Sequence, residues 1–425
     1  MVIHVVQQGD TIQSISDFYG ISVTRLIQDN GLENLERLVI GQSIVIAIPE
    51  VTYTVQEGDT LEGIANLYNI TIMQLLMNNP FLSDRVFIYP GEILVISYSK
   101  KGSIVVHGNT NPNINIEILR KTLPYLTYLS ILNYTATRDG EIITYFDDTQ
   151  IIKIAKEYGT MPLLLITTLT IQGEANLGIE YNLLFDEDFQ NNFIENLLSI
   201  LNVKGYQGVN LSFQYINISN IYLYNAFFAK FTDRLSAQGY SVFLTINPNI
   251  SNNGSEVSFE RVDYSILNDL AQNIIFMNYQ WATNINPPGP ISSIYNIDAF
   301  LNYVNNYIPS DKIIIGIATI GYDWELPFLP GFSSIYSITY ERAINLAGEK
   351  GAVIQFDELS QTPYFLYYDE QVQHIVWFID SRSINSLLDI VVKYDLYGLG
   401  IWNITIYNPQ LWLVINSQYE IEKFI

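Results

Sequence analysis

The sequence predicts an α/β fold: a (β/α)8 barrel with a small α+β insertion, preceded by two copies of a small βααβ module. Two observations support this prediction. A motif near the start of the chain returns 49 residues later, and eight short apolar runs alternate with helix-like segments over the remainder. The chain has 425 residues, which is enough for about two or three domains with large cores.

The composition and the charge limit the classes of function. The chain carries 43 acidic and 20 basic residues, a formal net charge of -23. Such a chain repels phosphate backbones and anionic lipids, so we expect neither nucleic acid nor a membrane as a partner. It has no cysteine, and its three histidines, His4, His107 and His374, lie far apart. We therefore expect no disulfide, no metal site and no cofactor, and we expect His107 and His374 to be strand residues with neighbouring partners.

The start of the chain does not have the features of a secretory signal peptide. Residues 1–10 have neither a basic segment nor a long apolar segment. The most apolar stretch, residues 161–171, is interrupted by threonines and is shorter than the roughly 20 residues that a membrane-spanning helix needs. We expect a soluble protein that is made in the cytoplasm without a signal peptide.

An internal repeat defines the first part of the chain. Residues 4–12 and 53–61 share the sequence Val-Gln-x-Gly-Asp-Thr, and residues 41–46 match residues 91–96 with one residue inserted between the copies. Each copy has the pattern of a short strand, two short amphipathic helices and a final strand after a glycine turn. Units this small bury little surface, which suits a binding module better than an enzyme.

These repeats resemble LysM domains, over residues 1–49 and 50–98. The resemblance implies that each copy binds the N-acetylglucosamine backbone of peptidoglycan or chitin, in a groove between the loop after the first strand and the loop after the second helix. The alternative is that Gly-Asp-Thr forms only a turn and a helix N-cap. The carbohydrate-binding residues that the resemblance implies are Gly9, Asp10, Thr11, Asn30, Gly58, Asp59, Thr60 and Asn79.

The remainder of the chain, residues 102–425, has the strand and helix alternation of a (β/α)8 TIM barrel. The interval between strands seven and eight is too long for one helix, and its tyrosine-rich, strand-like sequence predicts a small α+β insertion at about 325–380. The predicted strands are 103–107, 129–135, 162–169, 208–214, 242–246, 274–279, 313–318 and 399–402.

Strand four has the sequence that is most informative about function. Residues 206–215 read Tyr-Gln-Gly-Val-Asn-Leu-Ser-Phe-Gln-Tyr, which resembles the active-site strand of glycoside hydrolase family 18. Further matches run through residues 123–127, 286–290, 321–327 and 374–383. Within that family, the sequence is most similar to LysM-bearing enzymes of spore-forming bacteria that cut spore-cortex peptidoglycan.

The sequence departs from this family where its catalytic acids are expected. Gln207, Ser212 and Gln214 on strand four, and Gln280 on strand six, stand at those positions. The resemblance implies a glutamate general acid at 214 and, at 212, an aspartate that orients the acetamido group of the substrate. Glutamine has no proton to donate and serine carries no charge, whereas general acid catalysis contributes roughly 10²–10⁴-fold. We therefore predict a catalytically inactive barrel in which none of these positions is intact.

The sequence also contains aromatic residues that could contact a glycan in the barrel cleft and acidic residues that could replace the missing catalytic acids. Trp402, at the end of strand eight, matches the aromatic floor that this family places under the bound N-acetyl sugar, and Tyr279 is a second candidate for the same cleft. An acid at another position would restore catalysis. The candidates are Asp147, Asp148, Glu325, Asp357, Glu358 and Asp380.

Together these patterns predict a pseudoenzyme that binds glycans. The resemblance implies a structural, chitinase-like component anchored to N-acetylglucosamine polymers in the coat, cortex or exosporium of a spore-forming bacterium, with self-assembly as a further expectation. The alternative is an active peptidoglycan N-acetylglucosaminidase that uses a displaced acid.

Overall fold

The computed structural model describes residues 1–32, 38–83, 85, 87–137, 139–167, 177–213, 216–248, 250–252, 257–277 and 286–425. Within these residues, none of the helices has both the length and the apolar character that crossing a membrane requires.

Residues 1–98 form two modules of the same design, module 1 (residues 1–49) and module 2 (residues 50–98). In each, the first and last strands pair antiparallel and two helices lie between them in sequence. The elements are β1 Val2–Val5, α1 Ile12–Tyr19, α2 Val23–Asn30, β2 Ser43–Ile46, β3 Val51–Thr54, α3 Leu61–Tyr68, α4 Ile72–Asn78, a 3-10 helix Pro80–Leu82 and β4 Ile93–Ser97.

The Gly-Asp-Thr sequence begins the first helix of each module. The Thr11 hydroxyl accepts a hydrogen bond from the Ser14 N–H at 3.0 Å, and the Thr60 hydroxyl accepts one from the Gly63 N–H at 3.0 Å. Both threonines are therefore N-caps, which satisfy N–H groups that have no partner within the helix. A small apolar cluster fills each module. The prediction of two βααβ modules is confirmed.

Eight parallel strands form the barrel. They pair in the order β5-β6-β8-β9-β10-β13-β14-β20, and β20 pairs back with β5, which closes the barrel. The predicted (β/α)8 barrel is therefore confirmed. Its strands are β5 Gly102–Thr110, β6 Tyr128–Ala136, β8 Met161–Thr167, β9 Gly208–Phe213, β10 Ser241–Ile246, β13 Asn273–Met277, β14 Ile313–Ala318 and β20 Gly398–Trp402.

Helices surround the barrel and pack their apolar faces on its strands, which builds the main core. The helices are α5 Ile116–Thr122, α6 Thr149–Glu157, α7 Leu177–Phe185, α8 Glu187–Lys204, α9 Ile221–Ser236, α10 Ile294–Val304, α12 Ser381–Tyr394 and α13 Pro409–Asn416. The remaining short elements are β7 Ile142–Thr144, β11 Ile250–Asn252, β12 Val257–Phe259 and β21 Tyr419–Ile421, with 3-10 helices at Leu123–Tyr125, Tyr264–Leu267 and Ser310–Lys312.

The insertion between β14 and β20 is a five-stranded antiparallel sheet with one helix. Its strands and helix are β15 Gly321–Leu326, β16 Ile335–Ile338, α11 Tyr340–Lys350, β17 Gln355–Asp357, β18 Thr362–Asp369 and β19 Val372–Trp377, and the strand order is β16-β15-β19-β18-β17. One face of the sheet packs on α11. The other face carries Tyr322 and Trp324 into a cluster with side chains from the barrel interior.

Module 1 docks on the insertion through the turn that precedes β2. The side chain of Val39 is buried in the core of the insertion, and the Ile354 N–H donates to the Ile40 carbonyl at 2.9 Å. Arg382 donates to the Gly41 carbonyl at 3.2 Å. A Cβ atom on Gly41 would collide with the carbonyl oxygen of Ile354. The turn and the insertion therefore meet backbone to backbone.

The ends of α2 and α4 dock on the barrel. Gln410 of α13 donates to the Asn30 side-chain oxygen at 3.2 Å, and Asn416 of the same helix donates to the Asn78 side-chain oxygen at 2.9 Å. The Tyr125 hydroxyl donates to the Met77 carbonyl at 2.7 Å. Both modules thus bind the barrel through the same part of their own fold.

The segment that joins module 2 to the barrel is short and bonded. Four residues, 98–101, separate β4 from β5. Lys100 donates to the side-chain oxygen of Asn416 at 2.9 Å, and the Lys101 N–H donates to the Gln418 carbonyl at 2.7 Å. Tyr98 is buried. The connection is therefore part of the packed structure.

A buried ion pair lies where the two modules and the barrel meet. Arg25 donates to Asp29 at 2.7 Å and to the Tyr98 hydroxyl at 2.8 Å, and it also contacts the Asn78 carbonyl at 3.3 Å. The small cavity beside them has room for about one water molecule. A charged side chain of module 1 is thus held by groups from both modules.

Candidate functional site

The end of the barrel at which the parallel strands finish is where proteins of this fold carry their chemistry. On β9, Asn210 reaches Ser130 of β6, which is not a neighbouring strand, so its side chain points into the barrel interior. Ser212 lies two residues further on and shares that face. The strand register places Ser212 beside Thr245 of β10 and Thr167 of β8. Neutral hydroxyl groups therefore occupy this level of β8, β9 and β10.

A chain of neutral hydrogen bonds fills the interior below Ser212. Thr245 donates to Asn210 at 2.7 Å, Asn210 donates to Ser130 at 3.1 Å, and the Ser130 hydroxyl lies 2.8 Å from His107 Nε2. Burial lowers the pKa of His107 to about 3, so the imidazole is neutral. Its Nδ1 has no hydrogen-bond partner among the described residues. Among the described residues, this network thus offers amides, hydroxyls and a neutral ring, but no charge.

The described barrel strands lack the carboxylic acids that glycoside hydrolases use as general acids. As described, the eight strands contain no Asp, Glu, Lys or Arg. A catalytic acid would therefore have to come from a loop. Gln214, which follows β9 in sequence, and Tyr279 and Gln280, which follow β13, lie outside the described residues. Their predicted roles stay predictions.

Gln207 lies at the opposite end of β9 from Ser212. It immediately precedes the strand, and its N–H donates to the Pro162 carbonyl at 3.0 Å, where β8 begins. Its side-chain oxygen is buried and has no partner among the described residues. Strands rise about 3.3 Å per residue. Gln207 is therefore remote from any sugar at the carboxyl end of the barrel.

Aromatic and apolar side chains pack at the carboxyl end of the barrel. Met277, Ala318, Tyr322 and Trp324 are buried in one cluster, and Trp402 packs half-buried against it. The peptide bond between Trp402 and Asn403 is cis. Trp402 thus lies where the predicted aromatic floor belongs, and its contact with a sugar stays a prediction.

Asp148, the most deeply buried of the predicted displaced acids, is held as a carboxylate. Burial alone would raise its pKa. Hydrogen bonds from Tyr134 at 2.5 Å, Tyr206 at 2.7 Å and Asn133 at 3.1 Å outweigh burial and hold the pKa of Asp148 below its usual value. An acid with a lowered pKa is a poor proton donor near neutral pH.

The other predicted displaced acids have structural partners as well. Asp147 pairs with Lys204 at 2.8 Å, and the hydrogen bond from Lys204 is the largest cause of its lowered pKa. Asp380 caps α12 and pairs with Arg382 at 2.7 Å. The remaining three bind nearby backbone or side-chain groups: Asp357 binds Ser360, Glu358 binds Gln361 and Glu325 binds the Ser334 N–H.

Sequence reasoning missed two half-buried or buried acids. Asp323, on β15, accepts hydrogen bonds from the Tyr367 hydroxyl at 2.6 Å and from His374 Nδ1 at 2.9 Å. Glu180, on α7, accepts from Tyr224, and burial raises its pKa. Tyr224 belongs to the outer core between the strands and the helices, so it draws Glu180 toward the helix layer. Only the fold brings the partners of these acids together, and they are distant in sequence.

The Gly-Asp-Thr turns of the two modules are built alike and remain accessible. Asp10 accepts hydrogen bonds from the Gln7 N–H at 2.7 Å and from His4 at 3.0 Å, and the bond from Gln7 is the largest cause of its lowered pKa. Asp59 accepts from the Gln56 N–H at 2.7 Å and from the Tyr53 hydroxyl at 2.8 Å. Gly9 and Gly58 are exposed with positive φ, and Thr11 and Thr60 cap the helices. Turn and cap explain these residues, and the sugar contact stays a prediction.

Asn30 and Asn79 have a different role from the one expected. They are 1% and 0% exposed. Asn30 donates to the Val45 carbonyl at 2.9 Å and accepts from the Val45 N–H at 2.7 Å, and Asn79 makes the same pair with Val95 at 2.7 and 2.8 Å. Each amide therefore ties the second helix to the last strand. Neither amide is available to a sugar, which corrects the expectation that they bind glycan.

Comparison with known proteins gives the same domain order. The model of glycosyl hydrolases family 18 matches residues 121–406, and the LysM domain model matches residues 4–47 and 53–97. A cortical fragment-lytic enzyme of Bacillus anthracis is 32% identical over 424 residues, which is 98% of each chain. A protein of the same name from Bacillus subtilis (strain 168) is 30% identical over 430 residues, 100% of this chain and 99% of that one.

Among the solved structures that are similar to this chain is the spore cortex-lytic enzyme SleL of Bacillus cereus. The two structures align with a TM-score of 0.81 and 30% sequence identity over 99% of both chains. LysM and family 18 domains together indicate a protein that binds N-acetylglucosamine-containing glycans. The sequence-based assignment to both families is confirmed. The chain belongs to glycosyl hydrolases family 18 and carries two LysM domains at its N-terminal end.

Proposed function

We propose that this protein is a catalytically inactive, chitinase-like member of family 18. It binds N-acetylglucosamine polymers and serves as a structural component of the spore envelope. One observation carries the proposal: the eight described barrel strands contain no acidic residue, and the interior face of β9 presents Asn210 and Ser212. The described barrel strands therefore offer no carboxylic acid that could protonate a leaving group.

The chemistry of glycoside cleavage gives this observation its weight. The leaving oxygen must be protonated, and the cation that develops on the sugar must be stabilised by charge or by a neighbouring nucleophile. The residues at positions 212, 214 and 280 are a serine and two glutamines, none of which supplies a proton or a negative charge. Losing both contributions multiplies two large rate factors, so turnover falls to a negligible level.

The spore envelope is proposed from the relatives. Two of them are named cortical fragment-lytic enzymes, and a third is named a spore cortex-lytic enzyme. Each aligns with almost the whole chain, LysM modules included. We expect this protein to act on the same class of polymer by holding it, and self-assembly remains an expectation that light scattering at high concentration tests.

A glycan-cleavage assay tests the proposal. The purified protein is incubated with N-acetylglucosamine hexamer and with spore cortex fragments, and new reducing ends are counted against a family 18 chitinase as positive control. We expect no release above the blank, together with retained binding to insoluble chitin or cortex. Release at ordinary enzyme rates, about 1–10³ per second, would overturn the proposal.

A gain-of-function variant tests whether the barrel mouth is otherwise intact. Ser212→Asp combined with Gln214→Glu restores the acids that family 18 carries, and we expect this variant to release reducing ends where the wild type does not. Ser212→Asn with Gln214→Met is the matched control because it changes the same positions without adding an acid. Hydrolysis by the control would contradict the assigned roles.

A second candidate function is an active N-acetylglucosaminidase with a displaced acid. Its support is that two relatives aligned over almost the whole chain are named cortical fragment-lytic enzymes. If the wild type cleaves glycan, Glu180→Gln and Asp323→Asn locate the donor. Cleavage by the wild type would establish this second function, and the variant that loses activity would identify the donor.

A further inference from the structure

The turn that precedes the last strand is the same backbone structure in both modules. In module 1 the Gly41 N–H donates to Val6 and the Gln42 side chain accepts from the Val39 N–H at 3.1 Å. In module 2 the Gly91 N–H donates to Val55, and Glu92 accepts from the Tyr89 N–H at 2.8 Å. Val39 and Tyr89 are therefore equivalent positions.

In module 1 this turn is occupied by the barrel. Val39 is 5% exposed because it lies in the core of the insertion. The carbonyls of Ile40 and Gly41 accept hydrogen bonds from Ile354 and Arg382. A sugar cannot reach a turn whose side chain and carbonyls are already covered by protein.

In module 2 the equivalent turn is open and aromatic. Phe87 is 53% exposed and Tyr89 is 55% exposed, and among the described residues, its chain neighbours aside, none has an atom within 4 Å of where a Cβ on Gly91 would stand. The rings of Phe87 and Tyr89 are 5.3 Å apart and nearly perpendicular. Exposed aromatic side chains placed together form an apolar patch of the kind that can mark an interaction site.

The Arg85–Glu92 ion pair holds the Tyr89 side of the exposed aromatic pair in place. The guanidinium of Arg85 lies 5.4 Å from the Tyr89 ring and 5.5 Å from the Phe81 ring. Arg85 also pairs with Glu92 at 2.6 Å, and the other oxygen of Glu92 holds the Tyr89 N–H. The arrangement fixes the Tyr89 ring before any ligand arrives, which lowers the entropy cost of binding.

The turn that carries Phe87 and Tyr89 pairs with the strand end that leads into the Gly58-Asp59-Thr60 turn. Val55, the residue just before that turn begins at Gln56, exchanges backbone hydrogen bonds with Gly91 and Glu92 at 2.8 and 2.9 Å. The two turns therefore leave paired backbone positions, one leading to the Gly58-Asp59-Thr60 sequence and the other following Phe87 and Tyr89. Pyranose rings present apolar C–H faces to aromatic rings, and acetamido groups hydrogen-bond to backbone.

We infer that module 2 alone binds the glycan, through a platform formed by Phe87 and Tyr89, while module 1 serves to hold the barrel. The ligand is a chain of N-acetylglucosamine units, so this inference rests on the proposed glycan-binding function. The Arg85–Glu92 pair is a positioning element that acts through Tyr89.

Binding of N-acetylglucosamine pentamer to the full chain tests the inference by calorimetry. We expect Phe87→Ala and Tyr89→Ala each to weaken binding about 3- to 10-fold, and Tyr89→Trp to preserve it. Phe18→Ala is the matched control: Phe18 lies in module 1 and is 79% exposed, so the same side chain is lost elsewhere, with no change in affinity. Thermal unfolding of each variant checks that the fold is retained.

The outcomes separate the inference from the proposed function. If the wild type binds and both platform variants bind equally well, the inference is overturned and glycan binding stands. If Phe18→Ala weakens binding as much as Phe87→Ala does, module 1 also binds glycan and the inference is again overturned. If the wild type binds neither the pentamer nor insoluble chitin, both the inference and the proposed function are overturned.

Discussion

The two modules share one fold and differ in how they meet the barrel. Module 1 docks with a buried ion pair, Arg25 and Asp29, and the repeat places Gln74 and Asn78 at the same positions of module 2. Gln74 and Asn78 donate instead to the Glu420 side chain and to the Ile96 carbonyl. A few side chains therefore decide what each copy does, because the backbone of a small module leaves its surface free to change.

The largest expected difference between the modules follows from this ion pair. Arg25→Gln leaves the Asp29 carboxylate buried without its cation, and we expect a loss of about 3–5 kcal/mol in the free energy of unfolding, measured in urea. The double variant Arg25→Gln/Asp29→Asn places in module 1 the two residues that module 2 has at these positions, Gln74 and Asn78. This variant should recover most of the lost stability. A single variant within about 1 kcal/mol of the wild type would show that the pair does not stabilise docking.

The two turn glycines give a matched comparison of docking. Gly41 and Gly91 have φ of 86° and 91°, so alanine costs a similar backbone strain of about 1–2 kcal/mol at either position. Only at Gly41 does the added Cβ meet the insertion. We expect Gly41→Ala to cost about 1–3 kcal/mol more than Gly91→Ala, with faster hydrogen exchange at the Ile354 N–H. Equal losses would mean that the turn does not carry docking.

The buried asparagines test whether the modules share an internal tie. Asn30→Ala and Asn79→Ala each leave backbone groups of the last strand without partners, and we expect each to cost about 1–3 kcal/mol in urea unfolding. The two losses should agree within about 1 kcal/mol because the local bonds are the same. A variant that keeps its stability but loses glycan affinity would restore the sugar-binding role for that residue.

The pH dependence of unfolding gives the smallest expected difference. Burial raises the pKa of Asp29 above its ordinary value of 3.8, although Arg25 opposes the shift. The folded state then holds the Asp29 proton more tightly than the unfolded state, so this residue's contribution to stability is complete below pH 3.8 and is lost as pH rises through the folded pKa. Relative to Arg25→Gln/Asp29→Asn, unfolding free energy of the wild type should fall with rising pH from about 3.8, by less than about 1.4 kcal/mol per unit. Parallel pH profiles would contradict the shift.

The sequence was informative where the fold imposes a local pattern. Parallel strands covered on both faces read as apolar runs, and the predicted strand 313–318 matches β14 to the residue. The repeat was also sufficient to predict the modules. The roles of Asn30 and Asn79 were not predictable in the same way, because a residue that recurs for structural reasons looks the same in sequence as one that recurs for binding.

Other parts of the site depend on contacts between distant segments. The burial of Val39 comes from an insertion some 300 residues later in the chain. The partners of Asp323 lie on two other strands of that insertion. No local pattern carries this information, so residues of this kind are found only when the chain is seen folded.

The short, bonded connection between β4 and β5 has a mechanical consequence. A flexible linker would stretch under load and let a captured polymer drift. Here Lys100, Lys101 and the buried Tyr98 leave no slack to extend. Tension on a sugar strand held by module 2 would therefore be transmitted directly to the barrel. The sugar strand should detach from module 2 before the connection between β4 and β5 extends.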